Sequence, residues 1–198
     1  MRGLYGWAGL FCLLGFLLPG PAQSRDQNLT GKFLIATRQL NDRNFSRTVV
    51  FICNHDEKGA LGLVLNHPMG QLPFSQLLKQ FGIEVKEDSK IPVRSGGPVQ
   101  RNLAVILHTP DVLAGEPLCN TGKGAITATI DMLKLMAQDK GPKWSRIFFG
   151  YSGWGAGQLE REIQQKSWDT IPWNEELLFD EDTKGMWEKA KRLLGVEL

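Results

Sequence analysis

The densest concentration of groups that could do chemistry lies between Arg146 and Lys166. A short apolar run (Ile147, Phe148, Phe149) leads into Gly150, Tyr151, Ser152, Gly153, Trp154, Gly155, Ala156 and Gly157, then into the helix-like Gln158, Leu159, Glu160, Arg161, Glu162 and Ile163. Four glycines and a serine between a strand and a helix suggest a phosphate cradle or a nucleophile elbow, and spacing tests both. A dinucleotide-binding turn needs G-x-G-x-x-G, whose third glycine lets the helix pack closely. Counting from Gly153 and Gly155 puts Gln158 in that place; counting from Gly155 and Gly157 puts Glu160 there, with its charge facing a phosphate. An elbow needs G-x-S-x-G, but Gly153 follows Ser152 directly and Trp154 fills the second glycine's place. His55, His67 and His108 all precede Ser152, whereas hydrolases of that fold place the histidine last. No cofactor and no catalytic set is therefore assigned. The plainer expectation is a tight strand-to-helix reversal, with glycines permitting positive φ and close backbone approach, Trp154 plugging a hole, and Gln158 and Glu160 satisfying backbone donors at the helix start.

Other constellations fare similarly. His55, His67, His108, Cys53 and Asp56 show none of the short spacings of a zinc motif, so no metal site is expected. The six tryptophans read as core anchors rather than a stacking platform, because no basic stripe lies beside them. Lys and Arg are interleaved with Asp and Glu, and the formal net charge is only +2, which argues against a nucleic-acid partner.

These residues must be positioned by one domain. At 198 residues the chain can bury a real core without dividing in two. Its first 24 residues stand apart: Arg2, an apolar stretch from Leu4 to Leu18, then Pro19, Gly20, Pro21 and the small residues Ala22 and Ser24 before Arg25. That is a secretory signal pattern, too short to span a membrane. The expectation is a cleaved segment over 1–24, a domain over 25–198 with no stable membrane span after cleavage, and a periplasmic or secreted location. Cys53 and Cys119 would remain, and Cys53, in an apolar strand, reads as a buried free thiol before it reads as half of a bridge.

Strands are expected at Lys32 to Thr37, Thr48 to Asn54, Ala60 to Asn66 (ended by His67 and Pro68), Ile91 to Ser95 and Leu103 to His108. Near-continuous apolar runs imply burial on both faces. Helices are expected at Pro73 to Phe81, Thr129 to Ala137 and Thr183 to Leu194, with one turn capped by Asn174 and an extended segment from Trp168 to Trp173. Glu84 to Lys90 reads as an exposed loop and Asp111 to Lys123 as irregular. The order points to an α/β single compact domain, a mixed β-sheet with flanking helices.

Several segments resemble, in order, the bacterial AlgH/YqgE family: GKFLIATRQLNDRNFSRTVVFICNHDEKGALGLVLNHPM at the start of the domain, then SGGPV (Ser95 to Val99), LAVILHT (Leu103 to Thr109), GYSGWGAGQLERE (Gly150 to Glu162) and WEKAKRLLGV (Trp187 to Val196). The resemblance implies a compact α/β fold and a largely uncharacterised activity, sometimes labelled transcriptional regulation. The alternative location, cytoplasmic, follows from the same family. The leading expectation is a non-enzymatic binding or regulatory module with an unidentified protein or small-molecule partner. Its ligand or partner patch is sought at His55, Asn66, Gly96, Gly97, His108, Tyr151, Ser152, Trp154, Gln158 and Glu160. One alternative is a hydrolase or transferase using His55 or His108 with Ser152 or Glu160; a second is a DNA-associated regulator, which would need a helix-turn-helix or basic face that the sequence does not display.

Overall fold

Apolar runs too long to face water on one side set the architecture, which a computed structural model describes for residues 28–79, 81–84 and 88–195. The expected signal segment lies outside those residues. The strands are β1 (Phe33–Ala36), β2 (Val49–Asp56), β3 (Gly59–Val64), β4 (Pro68–Pro73), β5 (Lys90–Ser95), β6 (Val99–His108), β7 (Cys119–Asn120), β8 (Ala125–Thr127), β9 (Ser145–Gly155) and β10 (Trp168–Ile171). The helices are α1 (Phe74–Lys79), α2 (Ile130–Ala137), α3 (Gln158–Gln164), α4 (Glu175–Leu178) and α5 (Met186–Leu193). They form a single compact α/β domain whose strand pairs are antiparallel except β5 with β9.

Two sheets meet at β9. One runs β10, β1, β2, β3; the other holds β4, β5, β6, β8 and β7; and β9 pairs with both. Between the sheets lies the largest core, where Phe33, Phe51 and Leu63 face Val105, Leu107 and Phe148, closed by Leu177 and Leu178 of α4 and Trp187 of α5. The outer face of the first sheet packs Leu34, Val50 and Ile52 against Leu159 of α3, and that of the second packs Ile106 and Ile147 against α1 and α2. Burial on both faces is what the unbroken apolar runs required. Asn174 caps α4, its Oδ1 accepting from the Leu177 N–H at 2.8 Å, and Thr129 caps α2.

Two expectations are corrected here. The reversal at Gly150 to Gly157 is instead continuous strand as far as Gly155, and only Ala156 and Gly157 turn the chain into α3. The physical reason is a change of partner. Residues Ile147 to Phe149 run parallel to β5, Ser152 to Gly155 run antiparallel to β3, and Gly150, at φ 70°, makes the bend between them. A Cβ on Gly96 would overlap the Gly150 carbonyl oxygen, and one on Gly97 would overlap the Ser152 hydroxyl. The glycines serve close backbone approach between strands. Likewise Cys53 is not a free thiol: it is disulfide-bonded to Cys119, 66 residues away, with the Cα atoms 5.8 Å apart. Folding the second sheet over the first carries β7 onto β2, a proximity no local pattern encodes. Three strands also go beyond expectation: β4, bounded by prolines and lying at an edge, and the short β7 and β8.

Candidate functional site

The ten residues singled out from sequence divide among separate places. At the carboxyl-terminal end of β9, Ala60 of β3 faces Trp154, and His55 of β2 faces Ala60, so His55, Trp154 and the start of α3 are brought together. The backbone N–H of Leu29 donates to His55 Nδ1 at 3.2 Å, which fixes the proton on Nε2, and Nε2 donates to Glu160 Oε1 at 2.9 Å. Glu162 Oε2 accepts from the indole N–H groups of Trp154 (2.9 Å) and Trp168 (2.8 Å). Its Oε1 accepts from Gln158 Nε2 at 2.9 Å, while Gln158 Oε1 accepts from the Gly155 N–H. With Phe45 stacked near both indoles, this network ties α3 to the first sheet. Each of its polar side chains is engaged by another of them or by the backbone.

At the bend in β9, Tyr151 and Ser152 lie beside Gly96 and Gly97. The Ser152 hydroxyl is fully buried and donates to the Gly96 carbonyl at 3.0 Å. Asn66 secures the end of β3, accepting from the Val49 N–H and donating to the Arg47 carbonyl, each at 2.9 Å. His108 sits at the opposite end of β9, level with Ser145. Nine residue steps of strand separate Ser145 from Trp154, about 30 Å along the chain. The His108 ring is buried, with Nδ1 on the Thr109 carbonyl and Nε2 on the Thr127 hydroxyl, both at 2.8 Å, and burial lowers its pKa against a smaller opposing pull from Thr109.

Another set of polar groups with capacity to spare lies elsewhere. A groove of about 260 Å³ opens over Gly97, walled by Arg43, His67, Met69, Ser95 and Arg101, with Asn44, Pro98 and Phe149 completing it. Within it the two segments ending LNHPM and beginning SGGPV meet, joined by the Ser95 N–H donating to the His67 carbonyl at 2.8 Å. Among the described residues the Arg43 guanidinium, the His67 ring and the Ser95 hydroxyl have no side-chain partner. Arg101 Nη2 donates only to Asn44 Oδ1, at 3.2 Å. Burial holds the His67 pKa below its ordinary value, keeping the ring neutral with one nitrogen to donate and one to accept.

Arg94 and Arg146 make the contrast. Both are buried, and both donate to the Asp180 carbonyl, Arg94 also to the carbonyls of Leu65 and Glu181 and Arg146 to the Glu181 carboxylate. Desolvation, with the adjacent Arg146 charge, pushes the Arg94 pKa down to about 10. These two guanidiniums hold the α4 to α5 connection. The Arg43 and Arg101 side chains are exposed instead.

A family profile described as AlgH-like matches residues 33–198. The chain belongs to the AlgH-like family. Among its relatives, a UPF0301 protein of Cereibacter sphaeroides is 39% identical over 172 residues, covering 86% of this chain and 94% of that one. A Ruegeria pomeroyi UPF0301 protein is 40% identical over 173 residues with the same coverage. Among solved structures, that of the AlgH protein from Pseudomonas aeruginosa in solution is 35% identical with a TM-score of 0.75, covering 88% of this chain and 93% of that chain. A Corynebacterium diphtheriae protein, 19% identical with a TM-score of 0.65 over 86% of this chain and 90% of that one, shares the fold. The AlgH-like resemblance drawn from the sequence motifs is thereby shown, and the family carries no specific enzymatic assignment.

Of the expected patch, only Gly97 lines the groove. Arg43, Arg101, His67 and Met69 lie outside the expected patch, since the arginines stand alone in polar segments and His67 reads as a strand terminator. A usable signal did exist: the LNHPM and SGGPV motifs are both rich in backbone-bending residues yet carry polar side chains that no strand pattern requires.

Proposed function

We propose that this AlgH-like protein is a non-enzymatic binding or regulatory module whose ligand sits in the groove over Gly97. The observation that carries the reading is the distribution of hydrogen-bonding capacity. The histidines, serine and glutamate suited to a hydrolase are engaged: Ser152 donates to a backbone carbonyl, and both ring nitrogens of His55 and of His108 are taken. General acid-base work needs a nucleophile within reach of a base, and Ser152 directs its proton to Gly96. Arg43, His67 and Ser95, without a side-chain partner among the described residues, line the groove. Native mass spectrometry of the protein after exposure to a small-molecule extract tests this. Bound masses lost on Met69→Trp, which fills the groove mouth from an exposed position, are expected; retention unaffected by that variant, or ester turnover abolished by Ser152→Ala, contradicts the reading.

The module acts in an oxidising compartment. The signal-like pattern before Arg25 and the Cys53 to Cys119 disulfide support this, since such bonds persist outside the cytoplasm. Amino-terminal sequencing of native protein beginning near Arg25 is the expected result, and a start at Met1 opposes it.

A further inference from the structure

We infer that the groove over Gly97 takes a small organic anion, its carboxylate or phosphate group held by Arg43 and Arg101 and its carbon skeleton laid on Met69, Pro98 and Phe149. The inference rests on the groove being the ligand site and adds the chemical class. Among the described residues the lining contains two guanidiniums and no carboxylate. The nearest acidic side chain in sequence, Asp42, has its Oδ1 taken by the Asn44 backbone N–H at 2.7 Å and by Asn44 Nδ2 at 3.1 Å. Asn44 in turn receives Arg101, so that guanidinium is oriented by a neutral amide, and no carboxylate among the described residues pairs with it. A planar guanidinium matches a carboxylate or phosphate in geometry as well as charge.

The neutral His67 ring and the Ser95 hydroxyl, both without partners among the described residues, add hydrogen bonds to the same guest. Met69, 58% exposed, supplies an apolar wall that adapts to shape. The volume of about 260 Å³ suits a small molecule rather than a folded partner. A second cavity, at Thr37, Arg38, Arg47 and Trp187, differs in carrying a carboxylate of its own: Glu188 lines it and pairs with Arg47, which lies over the Trp187 ring at 4.8 Å.

Calorimetric titration of the full chain with benzoate, phenyl phosphate, inorganic phosphate and benzyl alcohol tests the assignment. Benzoate or phenyl phosphate is expected to bind, with the tighter of the two identifying the anionic group. Arg43→Gln and Arg101→Gln should each weaken it on the order of tenfold, the loss of one charge-assisted hydrogen bond. Met69→Glu, which removes part of the apolar wall and adds a negative charge, should weaken the organic anions. Inorganic phosphate binding as tightly as phenyl phosphate overturns the apolar part of the assignment. Benzyl alcohol binding as tightly as the anions, insensitive to both arginine variants, overturns the anionic class while the groove stands; no binding by any probe overturns the class as well. The groove itself falls only if retention from the extract ignores Met69→Trp.

Discussion

At one end of β9, His55, Gln158, Glu160 and Glu162 direct their polar atoms at each other, at two indoles and at the backbone. In the groove beside the bend of the same strand, Arg43, His67 and Ser95 direct theirs at nothing among the described residues. Both regions are rich in the residue types of active sites. The difference teaches that such types signal a ligand only when their hydrogen bonds are not already closed, because a satisfied buried network rigidifies a fold and has nothing left to bind with.

The largest expected effect separates fold from groove at their shared boundary. Gly96→Ala places a methyl against the Gly150 carbonyl and the Leu63 side chain, where the backbone cannot yield. A loss of about 4 kcal/mol or failure to fold is expected, read by denaturant unfolding; a change below 1 kcal/mol would show that the strands can part. Removing the disulfide with Cys53→Ala and Cys119→Ala is the next largest, about 4 kcal/mol for a loop of this length on the chain-entropy account, and it should leave ligand retention intact at temperatures where the protein stays folded. Unfolding with and without reductant provides a second reading.

The closed network is broken by Glu162→Leu, which strands the Trp154 and Trp168 indole donors. A loss of about 2 to 3 kcal/mol is expected, with Glu162→Gln recovering part of it through its carbonyl oxygen and ligand retention unaltered in both. Equal stability of Glu162→Leu and the parent would show that water serves the indoles equally well.

Acidity gives a smaller effect that also sorts the two kinds of environment. Burial holds His67 and His108 below the ordinary imidazole value, so the unfolded chain takes up protons near pH 6.5 while the folded one does not. Stability is full above that pH and falls as the pH drops below it, ahead of the separate loss at lower pH from Asp88, Asp111 and Asp180, whose folded pKa values are also depressed. Urea unfolding at pH 7.5 and 5.0 checks it. His67→Gln should flatten the slope with little cost at pH 7.5, whereas His108→Gln should cost stability at both. The smallest effect belongs to Arg43→Gln and Arg101→Gln, expected within about 0.5 kcal/mol of the parent; a larger loss would assign those side chains to the fold.

Much of the fold is legible in the sequence because burial on both faces leaves unbroken apolar runs, as at Phe33–Ala36 and at Val49 to Cys53, and because Asn174 and Thr129 announce helix starts chemically. Gly150 misleads for a physical reason. A glycine that turns a chain and one that lets two strands approach look identical in a single sequence, and only the pairing of β9 with both β3 and β5 tells them apart. The Cys53 to Cys119 bond and the placing of Arg43 and Arg101 on one groove share a cause: each depends on residues tens of positions apart that only the fold brings together. His55 and Glu160 were paired for chemistry by residue type and do touch, but the Leu29 N–H on the second ring nitrogen is invisible without the fold.

The most direct measurement maps backbone amide shifts of isotope-labelled protein on adding the small-molecule fraction it retains. Shifts confined to Asn44, His67 and Ser95 to Arg101 are the predicted result. Shifts centred on His55 and Trp154 to Glu162, with the groove unmoved, would contradict the account.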